Sequence, residues 1–340
     1  MSLYLVTGGC GFIGSHLSQA LINANHQVRI IDDLSTGLRV NAPKDAELLV
    51  CDITNYENMK MAFKDVDGCF HLAAKASIVY YDENWPIANQ INLGGTINTF
   101  AASRSCRKNG KAPPVVYASS AAIYGGCEKI PLAESTQALP LTGYAADKLA
   151  CEINGNIAFS KYDIANIGLR FFNVFGPRQN PESIYSGVIS IFVNRLLQGQ
   201  NLTVYGDGLQ VRDFIYVDDV VQALMLSMQY LENNHSCNVY NVSTNMPTSI
   251  RGLISTLGQI TGLQPEVIYA EPRLGDPRLS AGLYNKAKTD LGFNPETSLK
   301  DGLLKTIQYI AGERSKYQSN LANKYFDKIA KGKSTNQFSL

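Results

Sequence analysis

The chain has 340 residues, 45% of them hydrophobic and 17% charged, and a formal net charge of +1 at pH 7. This composition predicts one large globular domain or two closely joined ones, and the near-neutral charge excludes a bulk attraction to nucleic acid or to anionic membranes. Seven cysteines without a CxxC pair, together with four scattered histidines, predict reduced thiols in a cytoplasmic protein with no metal site. No apolar run approaches the roughly 20 residues that span a bilayer. Because a strand is predicted at the start of the chain, we expect no signal peptide.

The first two thirds of the chain alternate between strand-like and helix-like segments. Short apolar segments predict strands at residues 3–6, 28–31, 47–50, 68–72, 115–118 and 165–169. Apolar residues at helical spacing predict helices at 13–23, 91–104 and 144–159. This alternation implies an α/β fold with a doubly wound parallel sheet and helices on both of its faces.

The pattern changes in the last part of the chain. After a proline-containing loop come a predicted helix at 189–198, a strand at 202–205, a helix at 218–230 and a strand at 239–242.

These elements predict two lobes. The first is a dinucleotide-binding domain at 1–172, which residues 213–236 rejoin. The second is a smaller mixed α/β lobe made of 173–212 and 237–313. Residues 314–340 are polar and rich in lysine, which predicts a poorly ordered tail.

A glycine-rich turn follows the first predicted strand and opens the first predicted helix. Gly8, Gly11 and Gly14 form a GxxGxxG pattern. The first permits a tight turn, the second lets the backbone approach a pyrophosphate, and the third lets the helix pack closely on the sheet. Asp32 ends the second strand, where a carboxylate accepts hydrogen bonds from a ribose 2′-hydroxyl and repels a 2′-phosphate. The turn and the aspartate together predict NAD, and not NADP, as the cofactor.

Tyr144 and Lys148 lie four residues apart in a predicted helix and therefore share one of its faces. A phenol ionises only at alkaline pH in water, but a neighbouring ammonium group favours the phenolate. The pair therefore predicts a general base for a hydroxyl group. A Tyr-xxx-Lys spacing alone is more often an exposed pair of side chains. It gains meaning from Ser119 and Ser120, which end a predicted strand at the edge where open α/β sheets bind ligands.

Several sequence blocks occur together in the order typical of one enzyme family. Besides the glycine turn and the Tyr144-xxx-Lys148 pair, they are Asp32-Asp33-Leu34-Ser35-Thr36-Gly37, Cys51-Asp52-Ile53, His71-Leu72-Ala73-Ala74, Ser119-Ser120-Ala121-Ala122-Ile123-Tyr124-Gly125 and Arg170-Phe171-Phe172-Asn173-Val174-Phe175-Gly176-Pro177-Arg178. With these blocks the chain resembles the NAD-dependent epimerase/dehydratase group of the extended short-chain dehydrogenases/reductases over residues 3–312. The resemblance implies a Rossmann-type sheet, a bound NAD and a second lobe that binds a nucleotide sugar.

Within this group the chain is most similar to the UDP-glucose and UDP-N-acetylglucosamine 4-epimerases. That resemblance implies interconversion of gluco and galacto UDP-sugars through transient oxidation at C4, with Tyr144, Lys148 and Ser120 as catalytic residues. It also implies that NAD contacts Tyr144 and Lys148 together with Gly8, Gly11, Phe12, Ile13, Gly14, Asp32, Asp33, Ser35, Thr36, Gly37, Asp52, Ile53, Leu72, Ala73, Ala74, Asn92 and Ser119. The substrate-binding residues that it implies are Ser120, Asn173, Val188, Thr203, Tyr205, Arg212, Arg273, Asp276 and Ser280.

Two features of the resemblance bear on the reaction and the sugar. Ala121 and Ala122 stand where related dehydratases carry an Asp-Glu pair and UDP-glucuronate decarboxylases a glutamate, and a methyl group transfers no proton. Ser280 stands where 4-epimerases carry either a bulky tyrosine or a small residue, which favours N-acetylhexosamines as substrates. The resemblance also implies a homodimer through the helices at 91–104 and 144–159.

Other functions stay open at this point. One is an epimerase for another nucleotide sugar, such as UDP-glucuronate or a heptose nucleotide. Another is a non-enzymatic NAD-binding protein, although such proteins usually lose the catalytic tyrosine or lysine. The chain also departs from the family pattern at Gly143, where proline is frequent, and at Lys75, Ala76 and the unusually apolar stretch 78–81.

Overall fold

The computed structural model describes residues 1–127, 129–182, 186–273 and 275–315, and the predicted tail from residue 316 onward lies outside them. Its strands are β1 Leu3–Thr7, β2 Gln27–Asp32, β3 Glu47–Val50, β4 Gly68–His71, β5 Val115–Ser120, β6 Asn166–Phe171, β7 Asn173–Phe175, β8 Leu202–Tyr205, β9 Val211–Tyr216, β10 Cys237–Val242, β11 Pro247–Ser249, β12 Val267–Ala270 and β13 Leu279–Ser280. Its helices are α1 Phe12–Asn23, α2 Tyr56–Ala62, α3 Ile78–Asn89, α4 Gly95–Ser105, α5 Gly143–Tyr162, α6 Val188–Leu197, α7 Val217–Asn233, α8 Ile250–Thr261, α9 Asn285–Leu291 and α10 Leu299–Ser315.

The larger sheet of the described residues has seven strands in the order β10-β6-β5-β4-β1-β2-β3, and all its pairings are parallel. Leu17 of α1 and Leu224 of α7 are fully buried in the core on one face. Met59 of α2, Phe100 of α4 and Cys151 of α5 are buried in the core on the other face. Because helices cover both faces, the central strands are buried along nearly their whole length. The predicted fold class is confirmed.

The second lobe is built on smaller sheets. β9 pairs with β7, β11 and β13, and β8 pairs with β12. Phe192 of α6, Leu253 of α8 and Ile307 of α10 are buried in the core that covers these strands. The lobe is therefore mixed α/β, as the sequence predicts.

The structure corrects two details of the predicted elements. β10 lies in the large sheet, where it is hydrogen-bonded to β6 along its whole length, so residues 237–242 belong with the first lobe and not with the second. The apolar stretch that begins at residue 78 forms α3, and a π-helical turn at Gln90–Gly94 joins it to α4. The predicted helix at 91–104 is thus the last part of a longer helical segment. None of the helices described is both long and apolar enough to cross a membrane.

Candidate active site

The predicted site residues follow strands that end at one edge of the large sheet. Thr7, at the end of β1, stands opposite His71 at the end of β4. Ser120, at the end of β5, stands opposite Phe171 at the end of β6. The loops after these strands therefore meet at the carboxyl edge of a parallel sheet, which is where open α/β sheets bind ligands.

The glycine turn after β1 leaves no room for side chains. Gly8 has a φ of +69°, and a Cβ there would lie 2.8 Å from the backbone nitrogen of Ala73. A Cβ on Gly14 would lie 2.2 Å from the Gly8 carbonyl oxygen. Helix α1 begins directly after Gly11 with no side chain capping its first turn in the structure described. A turn that brings bare backbone to a helix N terminus fits the pyrophosphate of a dinucleotide.

Asp32 connects this turn to the end of β2. Its side chain is 6% exposed, and its carboxylate accepts hydrogen bonds from the backbone nitrogens of Cys10 at 2.9 Å and Leu34 at 2.8 Å. Burial raises the pKa of the Asp32 carboxyl, and the two backbone donors oppose that effect. A Cβ on Gly37 would come within 2.8 Å of the same carboxylate, so the space beside the carboxylate stays open because residue 37 has no side chain.

The other residues predicted to bind the cofactor lie at the start of α1 or in the segments that follow β2, β3 and β4. Asp33 accepts hydrogen bonds from the backbone and the hydroxyl of Ser35. Leu72 and Ala73 donate their backbone N–H groups to the Thr7 hydroxyl at 3.1 Å each. Phe12 and Ile13 begin α1, Thr36 and Ala74 lie in the loops after β2 and β4, and Asp52 and Ile53 follow β3.

Two predicted cofactor residues have side chains that are bonded to the protein instead. Asn92 is 1% exposed, and its amide bonds both backbone polar groups of Lys75 and the Tyr81 hydroxyl. Ser119 is 2% exposed and donates its hydroxyl proton to Glu152 at 2.5 Å. An effect of either side chain on the cofactor must therefore pass through these neighbours.

Helix α5 brings the predicted catalytic pair to the end of β5. Thr142 caps the helix by accepting a hydrogen bond from the backbone nitrogen of Ala145 at 3.2 Å. The Lys148 ammonium donates to the Ala118 carbonyl at 2.7 Å and lies 5.9 Å from the centre of the Tyr144 ring. Two residues beyond Ala118, the Ser120 hydroxyl accepts the backbone N–H of Ala122 at 3.2 Å.

A buried ion pair between β6 and α5 was not predicted from the sequence. Arg170 on β6 bonds both carboxylate oxygens of Glu152 on α5, at 2.9 and 2.7 Å. A further nitrogen of Arg170 donates to the Tyr124 hydroxyl at 2.8 Å. The signal for this pair was a charged residue directly after a predicted buried strand, since a buried charge needs a partner of opposite charge.

The structure brings most predicted substrate residues to two neighbouring clefts. One is lined by Ala121 and Ala122 together with Ser120, Asn173, Arg212, Asp276 and Ser280. The other is lined by Tyr205, Arg273 and Asp276, and Asp276 is therefore common to both. Val188, which begins α6, and Thr203, whose hydroxyl accepts a hydrogen bond from Arg195 at 2.8 Å, line neither cleft.

The charged side chains in these clefts make contacts with one another. The buried guanidinium of Arg212 forms an ion pair with Asp276, which is 41% exposed. The Arg273 guanidinium stacks on the Tyr205 ring at 3.9 Å from its centre. Arginine binds phosphate oxygens through a fork of N–H donors, so the region common to both clefts suits a diphosphate.

A glycine turn for a dinucleotide, followed by a tyrosine and a lysine at the same sheet edge, defines a nicotinamide-dependent enzyme of the short-chain dehydrogenase/reductase class. Residues 4–243 match the NAD dependent epimerase/dehydratase family. The chain belongs to this family, and its cofactor is NAD.

Relatives of this family resemble the chain over nearly its whole length. A putative UDP-glucose 4-epimerase of Methanocaldococcus jannaschii is 35% identical over 310 residues, which cover 91% of this chain and 98% of that protein. The UDP-glucose 4-epimerase of Thermotoga maritima, solved with UDP-glucose, has a TM-score of 0.87 and 34% identity, covering 92% of this chain and 99% of that one. The UDP-N-acetylglucosamine 4-epimerase of Methanobrevibacter ruminantium, solved with UDP-N-acetylmuramic acid, has a TM-score of 0.85 and 33% identity at the same coverage. The predicted family and cofactor are confirmed.

Proposed function

We propose that this protein is a UDP-hexose 4-epimerase, which interconverts the gluco and galacto forms of its substrate. The observation that carries the proposal is the cleft in which Ala121 and Ala122 adjoin Ser120 and face Arg212. Methyl groups supply neither an acid nor a base, so the elimination and decarboxylation reactions of related enzymes have no proton-transfer group at these positions. Oxidation and reduction at C4 need none there.

The proposed chemistry uses the tyrosine and the serine at the end of β5. NAD supplies reversible hydride transfer at C4. Tyr144 removes the proton of the C4 hydroxyl and later returns it, and Ser120 donates a hydrogen bond to the same oxygen. The Lys148 ammonium is fixed on the Ala118 carbonyl and so keeps its place 5.9 Å from the centre of the Tyr144 ring.

The proposed reaction requires a firmly held nucleotide and a loosely held sugar, because the 4-keto sugar must rotate and present its opposite face to the cofactor between the two hydride transfers. Arg212 supports this division. Its guanidinium carries five N–H donors, so it can bond a diphosphate while part of its fork stays on Asp276. We propose that Arg273 and Tyr205 hold the remainder of the nucleotide and that Asn173 reaches the diphosphate or the sugar.

The first test is a proton NMR time course with UDP-N-acetylglucosamine, UDP-glucose and UDP-glucuronate in separate tubes. Appearance of the galacto epimer from one of the first two substrates supports the proposal. Conversion of UDP-glucuronate alone would indicate a UDP-glucuronate epimerase. No conversion of any of the three substrates, even with added NAD, would refute the proposal. Tyr144→Phe is the control, since it keeps the ring but removes the proton acceptor and should abolish turnover.

We also propose that Ser280 lets N-acetylated sugars enter. Its side chain is 8% exposed and lines the same cleft as Ser120. Ser280→Tyr should therefore lower kcat/KM for UDP-N-acetylglucosamine by about tenfold or more while conversion of UDP-glucose persists. Ser280→Ala is the matched control and should change neither. Equal losses for both sugars in the tyrosine variant would contradict this role.

A homodimer is proposed on α4 and α5. Ile97 on α4 and Ile153 and Ile157 on α5 are 43%, 53% and 43% exposed, and apolar side chains of this size usually cover one another at an interface. Light scattering of the purified protein should give twice the chain mass. A mass of one chain would overturn the proposal.

A further inference from the structure

A buried hydrogen-bond network joins α3 to the helix that carries Tyr144. Tyr81 on α3 is 2% exposed, and its hydroxyl donates to Asp147 on α5 at 2.7 Å. Asn89 donates to the other carboxylate oxygen of Asp147 at 2.7 Å. Within the residues described, no ion pair joins Asp147 to a cation, and its side chain is 5% exposed. A buried carboxylate held by neutral donors depends strongly on each of them.

The same network reaches the segment that follows β4. Asn92 donates to the Tyr81 hydroxyl at 2.6 Å and bonds the backbone of Lys75 in both directions, at 2.8 and 3.1 Å. Tyr81 therefore links the loop beside the glycine turn to α5. Burial and the hydrogen bond to Asp147 hold the pKa of Tyr81 well above its usual range, so its hydroxyl remains a donor at neutral pH.

Tyr81 also contacts the beginning of α5. Its ring stands edge-on to the ring of Tyr144, with centroids 5.7 Å apart. A Cβ on Gly143 would lie 3.1 Å from Tyr81 and 3.0 Å from the indole nitrogen of Trp85. The glycine at this position, where the family often has proline, thus allows α3 to pack directly on the turn that presents Tyr144.

We propose that Tyr81 is a positioning residue for Tyr144, fixed by Asp147 and Asn92 and holding the phenol of Tyr144 by ring-to-ring contact. This inference rests on the proposed function, because Tyr144 is the base of that reaction. Tyr81 touches no reacting atom in this scheme. Its hydroxyl fixes its ring through Asp147, and its ring fixes the orientation of Tyr144.

The test compares Tyr81→Phe on α3 with a matched control on β10. Tyr81→Phe keeps the ring and removes the hydroxyl that binds Asp147. Tyr240 is also buried and donates its hydroxyl to a carboxylate, that of Asp290, at 3.1 Å, so Tyr240→Phe is a similar chemical change at a site remote from Tyr144. We expect Tyr81→Phe to lower kcat about tenfold, with the dissociation constant for UDP unchanged. Tyr240→Phe should leave kcat unchanged.

Two results would overturn the proposal. One is an unchanged kcat in Tyr81→Phe, and the other is an equal loss in both variants, which would indicate general destabilisation. Asp147→Ala provides a second comparison because it removes the acceptor of the Tyr81 hydroxyl, so Tyr81→Phe should have little further effect on kcat in its presence if both act through one hydrogen bond.

A readout without substrate separates this inference from the proposed reaction. Trp85 is the one tryptophan of the chain and packs on Gly143. Tyr81→Phe should raise the quenching of its fluorescence by iodide, because α3 is held less firmly on α5, and Tyr240→Phe should not. Unchanged quenching in Tyr81→Phe refutes the positioning role even if the wild type converts none of the UDP-sugars tested.

Discussion

His71, at the end of β4, should make the stability of this protein depend on pH. It is 4% exposed. Its Nδ1 lies 2.8 Å from the Thr7 hydroxyl and 3.2 Å from the Thr99 hydroxyl, which donates its proton to the Gly95 carbonyl, and its Nε2 lies 3.1 Å from the Thr96 hydroxyl. The Thr7 hydroxyl already accepts two backbone N–H groups, so it donates its own proton to Nδ1. Thr96 donates to the carbonyl of Asn92 and therefore accepts from Nε2. This arrangement selects neutral His71 with its proton on Nε2.

The cost of protonating His71 follows from its pKa. Burial, with a smaller contribution from the charge of Lys148, lowers the pKa of His71 from 6.5 to about 3. Between these values the unfolded chain binds a proton that the folded chain rejects, so the free energy of unfolding falls as pH falls through this window. The full difference is about 5 kcal/mol, of which about 2 kcal/mol should be lost between pH 7 and pH 5.

Urea unfolding at pH 7, 6 and 5, at one fixed NAD concentration, measures this loss. His71→Gln serves as the comparison because a glutamine side chain can form hydrogen bonds with Thr7 and Thr96 and does not titrate. Burial raises the pKa of the Asp32 and Asp213 carboxyls, which gives the opposite pH dependence, but these groups are common to both proteins and cancel in the difference. The wild type should lose about 2 kcal/mol more than the variant between pH 7 and pH 5. Parallel pH dependences in the two proteins would refute the assignment.

Two further predictions concern the ion pair under β5 and the glycine turn. Glu152→Gln should lower the free energy of unfolding by about 3 kcal/mol because it leaves the guanidinium of Arg170 buried without a counter-charge. Glu47→Gln, at an ion-paired carboxylate whose side chain is 52% exposed, should change it by at most about 1 kcal/mol in the same urea titration. Gly14→Ala should prevent NAD binding measured by calorimetry, because its Cβ would lie 2.2 Å from a carbonyl oxygen of Gly8, and wild-type affinity would contradict the packing argument.

The strands of the large sheet and most of the residues at its carboxyl edge could be predicted because the sequence patterns that identify them are local. Gly8 and Asp32 follow strands at fixed spacing, and Tyr144 and Lys148 share a helical turn, so a linear pattern carries the geometry. The strand at β10 was also recognised, but its place in the large sheet depends on pairing with a strand about 70 residues earlier in the chain. No local pattern specifies β6 as the neighbour of β10, and for this reason residues 237–242 were assigned to the second lobe from the sequence.

The missed parts of the candidate site are contacts between distant segments. Tyr81 and Asp147 are 66 residues apart in the chain, and Arg212 and Asp276 are 64 residues apart. Each is an ordinary polar residue in its own segment, and only the fold brings the partners together. The buried partners of Asn92 and Ser119 were not predicted for the same reason, and the prediction that both residues bind the cofactor stays a prediction.

The two sides of the candidate site differ in how firmly their side chains are held. On the catalytic side, Lys148 and Ser120 lie on elements fixed by buried hydrogen bonds, and Tyr144 is flanked by the Tyr81 network. On the nucleotide side, Arg273 and Asp276 are exposed and lie on an irregular segment, so they can adjust to a ligand at low cost. Between them the cleft is lined by alanine, glycine, leucine, phenylalanine and proline residues as well as by Thr142, Asn173 and Ser280, so few of its side chains can hydrogen-bond a sugar. This distribution is consistent with the proposed 4-epimerase reaction, in which the reacting groups stay fixed, exposed charged side chains adjust to the nucleotide and the sugar has few partners.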